Sequence, residues 1–249
     1  MSLIGLRNIY KVYDQGQLAL KNINLTVDNG DFISIMGPSG SGKTTLLKIA
    51  STMINPSAGE IIIGDKKVKT YSEDKMRLFR REKFGFVFQD FKLLEEFNVR
   101  ENIILPLVLN KISLKEIEKK LLGISSLLKI DKLLEKNTRE LSGGEKQKVA
   151  IARALIHEPI AIFADEPTGR LEFNSSKNIM ELLKKINKEL NTTIFMVTHD
   201  AYVASYSERV LFLRDGEIYN QIDSGEVRGS FYKEILDVIS FLGGKFYDL

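Results

Sequence analysis

The sequence of 249 residues contains no cysteine. That excludes disulfides and cysteine-based zinc sites, and it fits a reducing compartment. A charge excess is also missing. Lys and Arg number 36 against 33 Asp and Glu, a net of +3, which gives no argument for a nucleic-acid or membrane-surface partner. No apolar run approaches the ~20 residues needed to span a bilayer. Met1 leads directly into Leu3-Ile-Gly-Leu6, without a basic segment and a long apolar stretch, so no signal peptide is expected. Internal repeats and low-complexity linkers are lacking. Nucleic-acid binding and direct membrane insertion are therefore not expected, and any membrane role must come through a partner. The remainder is 43% hydrophobic and 28% charged, ordinary values for a chain that can bury a large core.

What the chain does have is GPSGSGKTT, Gly37 to Thr45. Gly37, Gly42, Lys43 and Thr44 occupy the fixed positions of the phosphate-loop pattern. Small residues, with Pro38, Ser39, Gly40 and Ser41 between the fixed glycines, let the backbone wrap a phosphate with its N–H groups inward. A helix starting near Gly42 adds the positive end of its dipole. Lys43 can reach the β- and γ-phosphates, and the Thr44 hydroxyl can ligate Mg²⁺. Asp31–Met36 reads as a buried strand before the loop, and Leu46, Leu47, Ile49 and Ala50 as a helix after it. This strand–loop–helix context supports the motif.

Around this stretch, short strand patterns alternate with turns at Asp14-Gln-Gly16, Asp28-Asn-Gly30 and Pro56-Ser-Ala-Gly59. Tyr13 ends the first strand, either to stack on a base or simply to pack. Residues 70–82 read as a polar helix whose Arg77, Arg80 and Arg81 form a solvated face. Phe84–Phe88 is a buried strand ending in Gln89. A polar group at the carboxyl end of such a strand lies where ligands bind, so Gln89 is a candidate nucleotide sensor. From about Phe91 to His157 the pattern turns helical. Asn98 with Glu101 and Ser113 with Glu116 are helix-start signals. Ser142 can cap a helix whose first turn holds Gly143 and Gly144. Two glycines there cost about 1 kcal/mol each, which suggests close approach to a phosphate. His157, at that helix's end, reads as structural, favouring the helix dipole if charged.

Ile160–Ala164 is wholly apolar, as expected for a parallel strand covered on both faces. It delivers Asp165, which can hold the Mg²⁺ shell, and Glu166, which can orient or deprotonate water. Asn174 or Ser175 then caps a helix. Thr192–Thr198 is a further strand, delivering His199 and Asp200 in parallel with the acidic pair. Two strands follow around Asp215-Gly216. From Phe231 an amphipathic helix is expected, stopped by Gly243-Gly244.

These residues together resemble the nucleotide-binding subunit of an ABC transporter, from about residue 3 to 222. The family's Walker A resembles Gly37–Thr44, its Q-loop Gln89, and its LSGGE signature Leu141–Glu145. Walker B with the catalytic glutamate matches Ile162–Glu166, the switch histidine His199, and the adenine-stacking aromatic Tyr13. The resemblance implies an α/β P-loop NTPase fold with a mostly parallel sheet, an antiparallel β portion and a helical subdomain. It implies one domain over 1–249, with an α/β core at 1–88 and 158–228, a helical subdomain at 89–157 and a tail at 229–249. The cofactors implied are ATP and Mg²⁺, the latter served by Thr44, Gln89 and Asp165. Lys43, Gln89, Glu166 and His199 would act in hydrolysis. Two copies would associate head to tail, each ATP lying between one phosphate loop and the other copy's Ser142–Gly144.

The stretches FGFVFQDFKLLEEFNVRENIILPL, ADEPTG and MVTHDAYVASY look most like the lipoprotein-release, macrolide-efflux and antimicrobial-peptide-resistance group. The tail ending FLGG looks like the bacitracin-resistance type. The implied partner is an integral-membrane permease with a large extracellular domain, and the implied location is the cytoplasmic face of the membrane. A division-type signalling ATPase is an alternative within the resemblance. DNA-repair and translation members differ, since this chain has no long coiled-coil insertion and a single cassette. Phe91, Leu93 and Leu94 either dock the permease or pack inside. One departure stands out. The family reads Ala-Leu-Asp after ADEPTG, whereas this chain reads Arg170-Leu171-Glu172.

Overall fold

The computed structural model describes residues 2–225 and 228–241. In chain order the strands and α-helices are β1 (Ser2–Val12), β2 (Leu18–Asp28), β3 (Phe32–Met36), α1 (Lys43–Ala50), β4 (Ala58–Ile63), β5 (Lys66–Lys67), α2 (Glu73–Lys83), β6 (Phe84–Phe88), α3 (Val99–Leu109), α4 (Leu114–Leu128), α5 (Gly143–Leu155), β7 (Ala161–Asp165), α6 (Phe173–Leu190), β8 (Thr193–Val197), α7 (Ala201–Ala204), β9 (Arg209–Arg214), β10 (Glu217–Asp223) and α8 (Arg228–Phe241). They form two sheets. An antiparallel sheet runs β2-β1-β4-β5, and a six-stranded sheet runs β10-β9-β3-β8-β7-β6. In the second sheet only β10 is antiparallel to its neighbour. The expected mixed α/β architecture is the one observed.

The sequence pattern explains the layers. β3 (FISIM) and β8 (TIFMV) are buried at every position, as strands covered on both faces must be. The helical stretch opens with a capping box at α3. Asn98 accepts from the Glu101 N–H at 2.8 Å, and Glu101 accepts from the Asn98 N–H at 2.8 Å. A second box, Ser142 with Glu145, opens α5. Each satisfies helix N–H groups that would otherwise lack partners, worth about 1 kcal/mol.

Several sequence-based expectations need correction. α6 starts earlier than expected, with Glu172 at its N-cap and no side-chain cap bond. Asn174 and Ser175 lie in its first turn. A glutamate is one methylene too long for the short loop back to the backbone that makes aspartate a good cap. α8 starts at Arg228, three residues before Phe231. Its expected stop at Gly243-Gly244 lies outside the described residues. Its apolar stripe, Phe231, Ile235 and Ile239, is buried against Met36, Ala201, Ala204, Val210 and Phe212. His157 is structural, as expected: its Nε2 meets the Phe84 carbonyl at 3.0 Å, and burial lowers its pKa, which disfavours the charge that would serve the helix dipole. Arg80 is not purely solvated, since it donates to the Thr52 carbonyl at 2.7 Å.

Helix α5 lies against β6 at backbone distance. A Cβ at Gly85 would sit 2.5 Å from the Ala154 carbonyl oxygen and 3.2 Å from the Ala154 Cβ. Gly85→Ala must therefore push the helix off the sheet. We expect a loss of about 1–3 kcal/mol of stability, read as a lower urea midpoint at unchanged slope. An unchanged midpoint would show that the helix and strand are looser than this.

Candidate functional site

The parallel register brings the candidate residues to one edge. Ile35 of β3 pairs with Val197 of β8, Val197 with Asp165 of β7, and Asp165 with Phe88 of β6. The next residues along each strand therefore emerge together at the carboxyl edge, where a doubly covered sheet binds ligands. β3 leads to the glycine-rich loop, β8 to His199, β7 to Glu166, and β6 to Gln89.

The loop from Gly37 to Gly42 is shaped by close approach. A Cβ at Gly37 would strike the Leu213 carbonyl, and one at Gly42 would sit 2.5 Å from the Ala19 carbonyl. Gly42 also has φ of 102°, a conformation that favours glycine. α1 then begins at Lys43. Lys43 Nζ donates to the Gly37 and Pro38 carbonyls at 2.8 and 2.9 Å, so its ammonium lies back over the loop. Burial lowers its pKa, opposed by the charges of Glu166 and Asp165. Ser41 Oγ is buried without a partner. A concave loop with a folded-back lysine and an unmatched hydroxyl suits a polyanion.

Two acids and one histidine face that loop. Thr44 Oγ1 lies 3.5 Å from Asp165 Oδ1. Asp165 has its pKa raised by burial first and then by the neighbouring Glu166 charge, so a cation beside it would be welcome. No group of three or more His, Asp or Glu side chains gathers among the described residues as an all-protein metal site. One hydroxyl and one carboxylate fit Mg²⁺, which keeps waters and takes its other ligands from substrate phosphates. Glu166 has φ of 50°, uncommon for a residue with a side chain. Its N–H donates to the Val197 carbonyl at 2.9 Å, which holds the turn. His199 Nδ1 lies 2.7 Å from Glu166 Oε2. That hydrogen bond is the main cause of a raised His199 pKa.

The other expected residues divide into two groups. Tyr13 is exposed, and its hydroxyl is 3.2 Å from Thr45 Oγ1. It stands beside the loop helix, with the Lys11 ammonium 5.3 Å from its ring centroid, rather than packing in the core. Gln89 lies over the turn after Glu166, where a Cβ on Gly169 would be 2.7 Å from Gln89 Nε2. Ser142, Gly143 and Gly144 lie elsewhere. The nearest neighbours of their glycines are Leu171 and Ser175, not the phosphate loop. Arg170 is near enough to Asp90 for its charge to help lower that acid's pKa, after Lys92.

Sequence reasoning missed the polar residues that hold these turns. Gln147, fully buried on α5, donates to the Pro167 carbonyl at 2.6 Å and so supports the turn after Glu166. Arg153 donates to the carbonyls of Lys92 and Phe91 at 2.6 and 2.9 Å. Asn102 binds both the N–H and the carbonyl of Leu94. The signal was a polar residue at an inward position of an apolar helix face, as Asn102 is within VRENIILPLVL.

Comparison with known proteins follows this geometry. The family described as "ABC transporter" matches residues 20–169. The chain is 48% identical to the "ABC transporter ATP-binding protein YxdL" of Bacillus subtilis, covering 100% of this chain and 97% of that one. It is 43% identical to the "Bacitracin export ATP-binding protein BceA" of Halalkalibacterium halodurans, covering 98% of each. A dimeric, post-hydrolysis structure of the cassette MJ0796 of Methanocaldococcus jannaschii, bound to ADP and Pi, superposes with a TM-score of 0.81 at 40% identity. That match covers 90% of this chain and 100% of the other.

The two histidines should titrate on opposite sides of the ordinary value of 6.5. His199, paired with Glu166, titrates above it; buried His157 titrates below it. Because the folded-state pKa of His199 is raised, its stabilising contribution is complete below pH 6.5 and is lost as pH rises through the raised value. Imidazole NMR of the nucleotide-free protein checks this. Glu166→Gln should bring the His199 midpoint down and leave that of His157 in place. A His199 midpoint at or below 6.5 in the unmodified protein would mean the pair does not form in solution.

Proposed function

The chain belongs to the ABC transporter family as an ATP-hydrolysing, ATP-binding subunit, and from that premise we propose that it powers a membrane permease that exports or detaches antimicrobial peptides. The observation that carries the chemistry is the 2.7 Å contact between His199 and Glu166 beside the Thr44–Asp165 pair. In this reading the loop amides and Lys43 hold the ATP phosphates and Tyr13 stacks on the base. Thr44, Asp165 and Gln89 serve Mg²⁺, which when bound neutralises charge on the β- and γ-phosphates. Glu166 accepts a proton from the attacking water. His199 holds Glu166 in place and faces the γ-phosphate.

The working unit is a head-to-tail homodimer. Ser142–Gly144 opens a helix away from its own phosphate loop, so a second copy must supply it to the nucleotide. A helix N-terminus with two glycines can approach a phosphate closely. Residues 1–88 and 158–228 handle the nucleotide, and 89–157 carry the signature turn and the permease-facing surface. An apolar groove of about 370 Å³ runs between β6, α3 and α5, lined by Phe86, Phe88, Leu105 and Leu109 among others. It is suited to an apolar segment of the permease. Leu94, 39% exposed, follows Lys92, which lines the groove, by two positions, whereas Leu93 packs on the core and Phe91 is half-buried. No helix among the described residues is long and apolar enough to cross a membrane, and the apolar stripe of α8 is already covered by its own core. In this reading the protein sits on the cytoplasmic face through its permease. The peptide substrate is favoured by the relative named for bacitracin export, which aligns along nearly the whole chain.

Glu166→Gln should keep its nucleotide affinity and lose about 10²–10⁴-fold in turnover, the scale of a positioned general base. Cells carrying the permease with this variant should also become as sensitive to a bacitracin-type peptide as cells without the chain. Wild-type-like turnover would remove Glu166 from the chemistry. Unchanged resistance with an inactive variant would overturn the peptide reading alone.

Leu94→Glu should leave thermal melting unchanged while moving the co-expressed chain from the membrane pellet to the soluble fraction. A variant that still pellets with its permease would place the docking surface elsewhere.

A further inference from the structure

Helix α8 is joined to the site by a cluster of aromatic rings around one arginine. The Arg228 guanidinium lies 3.4 Å from the ring centroid of Tyr206 and 4.9 Å from that of Tyr202. Its Nε donates to Ser205 Oγ at 3.2 Å. The Tyr202 and Tyr206 hydroxyls are 3.1 Å apart. Tyr202 also meets Tyr232 of α8, with ring centroids 6.4 Å apart, and Phe173, at 5.1 Å.

The positions of these partners matter. Tyr202 follows His199 by three residues on α7, which Asp200 caps by accepting from the Tyr202 N–H at 2.7 Å. Phe173 is the first residue of α6, directly after Arg170-Leu171-Glu172. It is 65% exposed, so the core does not hold it. Its ring contact with Tyr202 joins that turn to α7, because Glu172 makes no cap bond to fix the helix start. α8 also packs on Met36, the residue before Gly37. α8 thus shares a buried cluster with the strand entering the phosphate loop, packs on the helix that follows His199, and reaches the turn after Glu166 through Tyr202 and Phe173.

We propose that Arg228 is a positioning residue for ATP hydrolysis: by clamping Tyr202 and Tyr206 it makes α7, which follows His199 by two residues, and the Arg170–Glu172 turn move together with α8. The inference rests on the reading of Glu166 and His199 as the hydrolytic pair. A guanidinium over two rings gains electrostatically from both faces. Both rings are anchored close in sequence to His199, so the clamp limits where the imidazole can stand. Small misplacement of a reacting group lowers turnover more than it lowers binding.

The test uses the full chain with Arg228→Ala, Arg228→Gln and Arg228→Lys, assayed below the melting temperature of each. Arg228→Ala and Arg228→Gln should lower kcat about five- to tenfold with KM for ATP within about twofold, the pattern of an interaction expressed in the transition state. Arg228→Lys keeps a cation over the rings and should recover most of the loss. Exposed Phe173→Leu should lower kcat similarly, and combined with Arg228→Gln should cost less than the product of the two, because both act through Tyr202. Glu166→Gln is the control. If that variant is inactive while Arg228→Ala and Arg228→Gln turn over like the parent protein, the inference fails and the proposed function stands. A fall in melting temperature with unchanged kcat likewise reduces Arg228 to a structural role. If Glu166→Gln hydrolyses ATP normally, both readings fail.

Discussion

The ladder Ile35–Val197–Asp165–Phe88 is the constraint on which the site depends. Four strands that run the same way must release their chains at the same edge. A one-residue slip in any of them would turn its side chains to the opposite face and move its last residue along the strand by about 3.3 Å. Such a shift would exceed the 2.7 Å that separates His199 from Glu166. The register is itself protected by burial, since β3 and β8 have no exposed position. Hydrophobic packing on both faces thus determines where two polar side chains meet.

Within the helical segment between β6 and β7, the loop leaving β6 is tied to α3 and α5 by polar contacts that hydrophobicity alone could not supply. Arg153 is half-buried, and burial lowers its pKa. Two carbonyl partners compensate for the lost water. These carbonyls belong to Phe91 and Lys92, both with positive φ, just beyond Gln89. Asn102 fixes Leu94 in the same way. The stretch from Gln89 to Leu94 is therefore held as a shaped loop, with the apolar Leu94 exposed. Removing either polar residue would cost the loop two or more hydrogen bonds, each worth about 0.5–1.5 kcal/mol net.

Much of this was legible before any coordinates. Uninterrupted apolar runs such as Ile160–Ala164 marked buried parallel strands, and Asn98-x-x-Glu101 marked a helix start that the structure reproduces. Spacing alone placed Lys43 and Thr44 at the opening of α1. The misses share a cause, which is that side-chain reach and burial are tertiary properties. Asn174 and Ser175 are good cap residues by type, yet the chain enters α6 two residues earlier, through Glu172. His157 sits at a helix end, where a charge would help, but burial lowers its pKa and outweighs the Phe84 carbonyl, which favours the charged ring. The joining of α8 to α7 was invisible because Arg228 and Tyr202 lie 26 positions apart and belong to no common motif.

Gly85 has a mechanical consequence. Its missing side chain lets the Ala154 peptide come so near to β6 that no carbon fits between them. At such a contact neither backbone can slide over the other without a clash, although tilting is still allowed. Relative motion of α5 and the sheet is thereby reduced to rotation about a fulcrum. The arc travelled by any point then grows with its distance from Gly85, so a small tilt at the fulcrum becomes a larger sweep at the outlying ends of α3 and α4.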